Sequence, residues 1–424
     1  MHFPKLPILE ELKQYKRTDI NYENVYLIAV QHLVETTGSL FEAIVDIGIK
    51  PGNIYLQGKL YSTHFSVERQ LRNLGINVYN ASMPDKFGIV RESLRKDISK
   101  VWQLAQQRFT NESIIIILDD GGLAIKQAPN ELFKQCKLYG IEQTTSGLRY
   151  QPDKDFFPII QVATSAAKVY LEPNFISRAL LRKLTPYLYR NPPNKIGIVG
   201  FGHIGKAVAH FFSKRYNVCI YDTKDDVLKT NIGKLIVCTS IDELVMKCDL
   251  IIGATGVDIS NIDWDKLVNE NKTLISVSSS DIEFNSLLKK YNEILWVKYK
   301  DVLLNIKIRL KNGKWLKLIR GGTVANFNNG LESCRANQIQ LTRALLFSGI
   351  LQALNNNLQL KGVNGSFNLK PEYQALIVQQ WFKLYPIYKD IYPESLRKNF
   401  ESIDWIDDNS GITKMNVKIF KQKK

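Results

Sequence analysis

The run Gly200-Phe201-Gly202-His203-Ile204-Gly205 follows the apolar stretch Lys195-Ile196-Gly197-Ile198-Val199 and opens a helical pattern. Glycines at this spacing between a strand and a helix form a phosphate-binding turn. The first permits the tight bend, the second lets backbone approach a pyrophosphate, and the third lets helix and strand pack closely. Free N–H groups at the helix start then face the phosphate oxygens. The next apolar stretch, Val218-Cys219-Ile220-Tyr221, ends on Asp222. An acid about 20 residues past such a loop accepts hydrogen bonds from an adenosine ribose. Its charge would repel a 2′-phosphate, so the pattern predicts NAD held around Gly200, Gly202, His203, Ile204, Gly205 and Asp222. The bland alternative is a glycine-rich turn without a ligand, and the acid at the strand end argues against it.

A second set of polar residues stands at or beyond apolar runs in the first part of the chain. His32 follows Val25-Tyr26-Leu27-Ile28-Ala29-Val30, and Asp119-Asp120-Gly121-Gly122 follows Ile114-Ile115-Ile116-Ile117-Leu118. Glu142-Gln143-Thr144-Thr145-Ser146-Gly147 reads as a loop, and Lys168 with Glu172 has the i,i+4 spacing of one helix face. Such groups can move protons and orient hydroxyls. Taken singly, each has a structural reading: helix cap, turn, surface ion pair, satisfied histidine. Their joint order is what argues for a site.

These residues need elements to hold them. Strand-like runs alternate with helical patterns at Phe65 to Leu74, Ile89 to Phe109 and Phe175 to Tyr189, the signature of parallel sheets with helices on both faces. The breaker cluster Asn191-Pro192-Pro193-Asn194 separates two such units. The predicted fold class is α/β, with two doubly wound parallel-sheet domains. Residues 1–190 form a substrate-binding domain and 191–345 a Rossmann NAD-binding domain; 346–424 supply a return helix and C-terminal segment packing on the substrate domain. Asn312-Gly313 reads as a hairpin turn, and Asn337 to Leu354 as a long helix.

At 424 residues the chain suffices for about two to three domains. The apolar runs are too short to span a bilayer, and Met1-His2-Phe3-Pro4-Lys5 lacks a signal-peptide layout, so a cytoplasmic protein without membrane contact is expected. Cys136, Cys219, Cys238, Cys248 and Cys334 have no CxxC spacing, so neither a disulfide framework nor a metal site is expected. The net charge of +16 comes from scattered lysines, densest at Lys418-Ile419-Phe420-Lys421-Gln422-Lys423-Lys424. Without basic runs interleaved with aromatics, a nucleic-acid partner is not expected.

In order and separation these motifs resemble the S-adenosylhomocysteine hydrolase family. The resemblance runs from about residue 25 to 355 through Val30-Gln31-His32-Leu33, Tyr61-Ser62-Thr63 and Leu118-Asp119-Asp120-Gly121-Gly122. It continues through the Glu142 to Gly147 loop, Lys168 and Glu172, the glycine loop with Lys206, Ala254-Thr255-Gly256, and Leu310-Lys311-Asn312-Gly313 leading to Asn326. In that family NAD oxidises a nucleoside 3′-hydroxyl, a thiolate leaves from C5′, water adds, and the ketone is reduced again. The resemblance implies that Lys168 helps remove the hydroxyl proton and that Glu172 binds that hydroxyl where the family has an aspartate. It implies that His32 and Asp120 handle protons near C5′. Ser62, Thr63 and Gln143 would bind substrate, and Thr144, Thr145, Thr255 and Asn326 would contact NAD. A nucleoside or thioether substrate and a homo-oligomer are the partners it implies.

The departures are specific. Gln143 replaces a ribose-binding glutamate, Ser279 and Ser333 stand at two family histidines, and Pro173 replaces an asparagine. The family's Lys-Pro-Asp-His-Tyr-Arg-Tyr tail, which reaches a neighbouring subunit's NAD, is absent. Retained redox residues with altered leaving-group and adenine contacts imply a hydrolase-like enzyme acting either on S-adenosylhomocysteine itself or on a different nucleoside or related substrate. The alternative is a non-catalytic NAD-binding regulatory paralogue.

Overall fold

The isoleucine run at 114–118 is buried on both faces, the condition of a central strand in a parallel sheet. It lies in a computed structural model of the 424-residue chain that describes residues 3–150, 157–190, 192–224, 234–355, 365–401, 405–407 and 413–415. Asn191 and the lysine-rich stretch Lys418 to Lys424 lie outside the described residues.

In chain order the first unit contributes β1 (Val25–Gln31), β2 (Ile54–Gly58), β3 (Asn77–Tyr79), β4 (Ile114–Asp119), β5 (Lys137–Glu142) and β6 (Pro158–Gln161). The second contributes β7 (Lys195–Val199), β8 (Asn217–Tyr221), β9 (Ile236–Val237), β10 (Leu250–Gly253), β11 (Lys272–Ser276), β12 (Ile306–Arg309) and β13 (Trp315–Leu318); β14 (Gly365–Asn368) follows. The first sheet runs β14-β6-β5-β4-β1-β2-β3 and the second β12-β13-β11-β10-β7-β8-β9. All pairings in them are parallel except β12 with β13, the hairpin closed by Gly313 at φ +82°. Both sheets are thus doubly wound. Strand order reverses between β1 and β4 in the first and between β7 and β10 in the second, the crevices where open α/β sheets bind ligands.

Three helices join these crevices. Helix α1 (Ala166–Arg190) gives Leu171, Phe175 and Ala179 to the first core and Leu180, Leu184 and Leu188 to the second, so one rigid element belongs to both units. Helix α2 (His203–Phe212) starts at the glycine loop and packs on α1. Helix α3 (Ala336–Asn355) returns to the first core, buried from Gln338 to Leu354, so the return begins ahead of residue 346. The chain then adds β14 beside β6, pairing Phe367 with Ile160.

No strand is expected from the sequence at β3, β5 or β14, all of which the structure contains. Glu142 ends a strand instead of opening a loop. Lys137-Leu138-Tyr139-Gly140-Ile141-Glu142 carries a glycine and little alternation, because Gly140 packs closely on Ile159, Ile125 and Phe157. Among the described residues no helix is long and apolar enough to cross a membrane.

Candidate functional site

The glycine loop has the geometry its spacing demands. Gly200 has φ +95°, and a Cβ there would meet Ala254 O at 2.7 Å. A Cβ on Gly205 would lie 1.9 Å from Gly200 O, whereas one on Gly202 would have nothing within 4 Å. Two glycines therefore serve the turn, and the third leaves open space in front of the first turn of α2. Asp222 accepts from Phe201 N at 2.6 Å and from Lys224 N at 2.9 Å. The acid thus braces the loop, with lone pairs left for a ribose. Ile204 is half-buried against the second core, and the exposed His203 sets its ring edge-on to Tyr170 at 6.2 Å. Tyr170 lies on α1 between Lys168 and Glu172, so that turn of α1 stands beside the loop.

The first crevice holds a connected polar chain. His32, at the end of β1, places Nδ1 2.5 Å from Ser62 Oγ and Nε2 3.2 Å from Asp120 Oδ2, beyond β4. Asp120 Oδ1 accepts from Lys59 Nζ at 2.5 Å, and all four side chains are buried. Burial pushes the His32 imidazole down to about 4, with Asp120 opposing, so the ring is neutral at pH 7. Burial alone would raise the Asp120 carboxyl, but Lys59 and His32 hold it well below its ordinary value. These partners assign the imidazole proton to Nε2, facing the carboxylate, and leave Nδ1 to accept from Ser62.

Lys168 pairs with Glu172 on α1, and Glu172 Oε1 accepts from Thr342 Oγ1 of α3 at 2.8 Å. From the second unit, Phe327 stacks on His32 at 4.0 Å between ring centroids. Ser146 and Ser279 meet at 3.0 Å, and Arg320 donates to Tyr61 O at 3.2 Å. Asp281, at φ +57°, is pushed up to about 7 by burial, with Lys59, Tyr61 and Arg91 opposing.

Several residues expected to contact a ligand also bond within the fold. Thr144 bonds Glu142 Oε1 through N at 2.7 Å and Oγ1 at 2.8 Å, and its hydroxyl also accepts from Gly147 N at 3.0 Å. Thr63 closes a turn onto Lys59 O at 2.8 Å. Thr255 donates its hydroxyl to Val257 O at 3.0 Å and its N–H to Glu283 Oε1 at 2.6 Å. Thr145 is exposed. Gln143 Oε1 and Asn326 Oδ1 are buried without hydrogen-bond partners among the described residues.

Sequence reasoning missed Lys59, Glu283 and Arg343. Lys59 directly follows Gly58 at the end of β2, the same strand-end signal that marked His32. Arg343 is the lone charge in an apolar helical pattern. Glu283 gave no local signal, since its role depends on receiving Thr255 N–H and, at 2.5 Å, Ser276 Oγ. Burial raises the Glu142 and Glu283 carboxyls, and Asp119 beside Glu142 rises to about 6. Among the described residues no cluster of three or more His, Cys, Asp or Glu could hold a metal ion.

Fold and site define an α/β protein of two doubly wound units, the second with the geometry of a dinucleotide-binding unit. No family model matches the chain. It is similar to uncharacterized proteins of Mycobacterium tuberculosis strains CDC 1551 and H37Rv, each 29% identical over 347 residues. The match takes in 79% of this chain but only 65% of the length of those relatives. Among solved structures, a putative D-3-phosphoglycerate dehydrogenase from Ralstonia solanacearum shares 13% identity over 79% of this chain and 96% of its own, at TM-score 0.39. A D-isomer specific 2-hydroxyacid dehydrogenase from Xanthobacter autotrophicus Py2 shares 10% identity over 82% of this chain and 100% of its own, at TM-score 0.38.

Proposed function

We propose that the chain binds NAD in its second unit and acts on a secondary hydroxyl of a small substrate in the cleft between the units, in the manner of S-adenosylhomocysteine hydrolases. The observation that carries this reading is that the Lys168–Glu172 pair sits on α1, a helix that enters both cores and whose Tyr170 meets His203 of the glycine loop. The open space at Gly202 and the unpartnered Asn326 Oδ1 fit a dinucleotide. Bound NAD would supply a hydride acceptor. In its uncharged amine form, having first given up its own proton to solvent, Lys168, oriented by Glu172, takes the proton of the substrate hydroxyl. Ser62, His32 and Asp120 form a relay for a second proton, and Phe327 shields it from water. The proposed substrate class is a nucleoside, thioether or related alcohol, and the proposed assembly is a homo-oligomer.

The direct test is to denature purified protein and assay released nicotinamide, then add adenosine and related alcohols to intact protein and follow absorbance of the reduced cofactor. Bound cofactor that becomes reduced supports the reading. Absence of both bound nicotinamide and NAD affinity overturns it.

A further inference from the structure

Arg343 is the only charged residue in the buried stretch Gln338–Leu354 of α3, and it is 3% exposed. Its Nε donates to Thr36 Oγ1 at 3.2 Å. Its two Nη groups make no hydrogen bond, and the guanidinium no ion pair, among the described residues; neither Nη atom is sealed from solvent. Thr36 in turn gives its hydroxyl and N–H to Glu332 Oε2 at 2.6 and 3.1 Å. Thr342, the preceding residue of α3, holds Glu172. Burial disfavours the charged guanidinium, and the nearby carboxylates of Glu332, Asp120 and Glu172 oppose this.

A buried guanidinium without a direct counter-ion is costly unless a partner completes it. No side chain of the described residues does so, while its free donors form a planar fork that matches two coplanar acceptor oxygens. The surrounding carboxylates disfavour a dianion such as phosphate and tolerate a monoanion. We propose that Arg343 receives a carboxylate of the substrate, so that the ligand presents a secondary hydroxyl to Lys168–Glu172 and a carboxylate to Arg343. This inference rests on the reading of the cleft as the substrate site.

The test is isothermal titration of the full chain with lactate, its uncharged analogue lactamide, and inorganic phosphate. Wild-type protein binds lactate more tightly than either of the other two. Arg343→Gln weakens lactate binding by about tenfold or more, Arg343→Lys by less, and Thr36→Val by a few-fold. Glu332→Gln tightens it by removing a repelling charge; because it retains Arg343, it keeps the proposal testable if Arg343→Gln fails to fold. Absence of lactate binding, equal binding of lactamide, tighter binding of phosphate, or a Glu332→Gln variant that binds lactate more weakly would each overturn the proposal. NAD titration is run in parallel. Lost NAD binding with lactate binding intact strikes the cofactor reading alone, and the reverse result strikes this one alone.

Discussion

Asp120 is held by Lys59 on one oxygen and His32 on the other, and this pairing fixes the charge state of the first crevice. Lys59→Met keeps the length of the stem but leaves a buried carboxylate with a neutral histidine. Chemical denaturation should register a loss of about 3–5 kcal/mol, the usual cost of breaking a buried pair, and Asp120→Asn in the Lys59→Met background should restore part of it. Asp281 makes a prediction about pH. Its folded carboxyl is raised to about 7 from an ordinary value of 3.8, so the folded state binds the extra proton. Its contribution to stability is complete below pH 4 and is lost as pH rises through 7. The melting temperature of Asp281→Asn, measured relative to wild type, should therefore rise between pH 4 and pH 8; a flat difference would refute the assignment. The positions of His32 and Asp120 at strand ends, and of Lys168 and Glu172 on one helix face, were legible in the sequence. Lys59 carried the same signal but stood two residues before the more conspicuous Tyr61-Ser62-Thr63. The internal bonds of Thr63, Thr144 and Thr255 were not legible, because a hydroxyl that turns back on its own loop looks, in sequence, like one that faces only a ligand.

At the scale of elements, the glycine loop separates fold from function. Gly205→Ala would drive a Cβ into Gly200 O, so a loss of about 1–3 kcal/mol is expected in denaturant unfolding. Gly202 has an ordinary φ of −71° and open space, so Gly202→Ala should leave stability within about 0.5 kcal/mol. The same change should weaken NAD binding by about tenfold or more, since it narrows the approach of a pyrophosphate. Equal NAD affinity in Gly202→Ala and wild type would remove the loop from the proposed site. The loop, its flanking strands and Asp222 were readable because turn, helix start and strand end each leave a local mark. Strands β5 and β14 were not. Gly365-Ser366-Phe367-Asn368 contains one apolar residue, and its strand character comes from pairing with β6, a decision made by tertiary contact.

For the whole molecule, the doubly wound topology is repeated, and each unit carries polar groups at its own strand ends. Each sheet has its own reversal point; α1, which carries Lys168 and Glu172, enters both cores, and α3, which carries Arg343, packs into the first. The alternation of runs made two such units predictable, whereas the burial of α3 against the first core, and with it the setting of Arg343, depended on contacts far apart in the chain. At this scale Lys168→Ala should retain NAD binding yet lower cofactor reduction by about 10²–10⁴-fold in single-turnover absorbance; unchanged reduction would remove Lys168 from the chemistry. The central claim is that the second unit is a working NAD site facing the proposed substrate cleft. Calorimetric titration of the purified chain with NAD tests it most directly: the account predicts saturable binding of a single NAD per chain, and no detectable binding would contradict it.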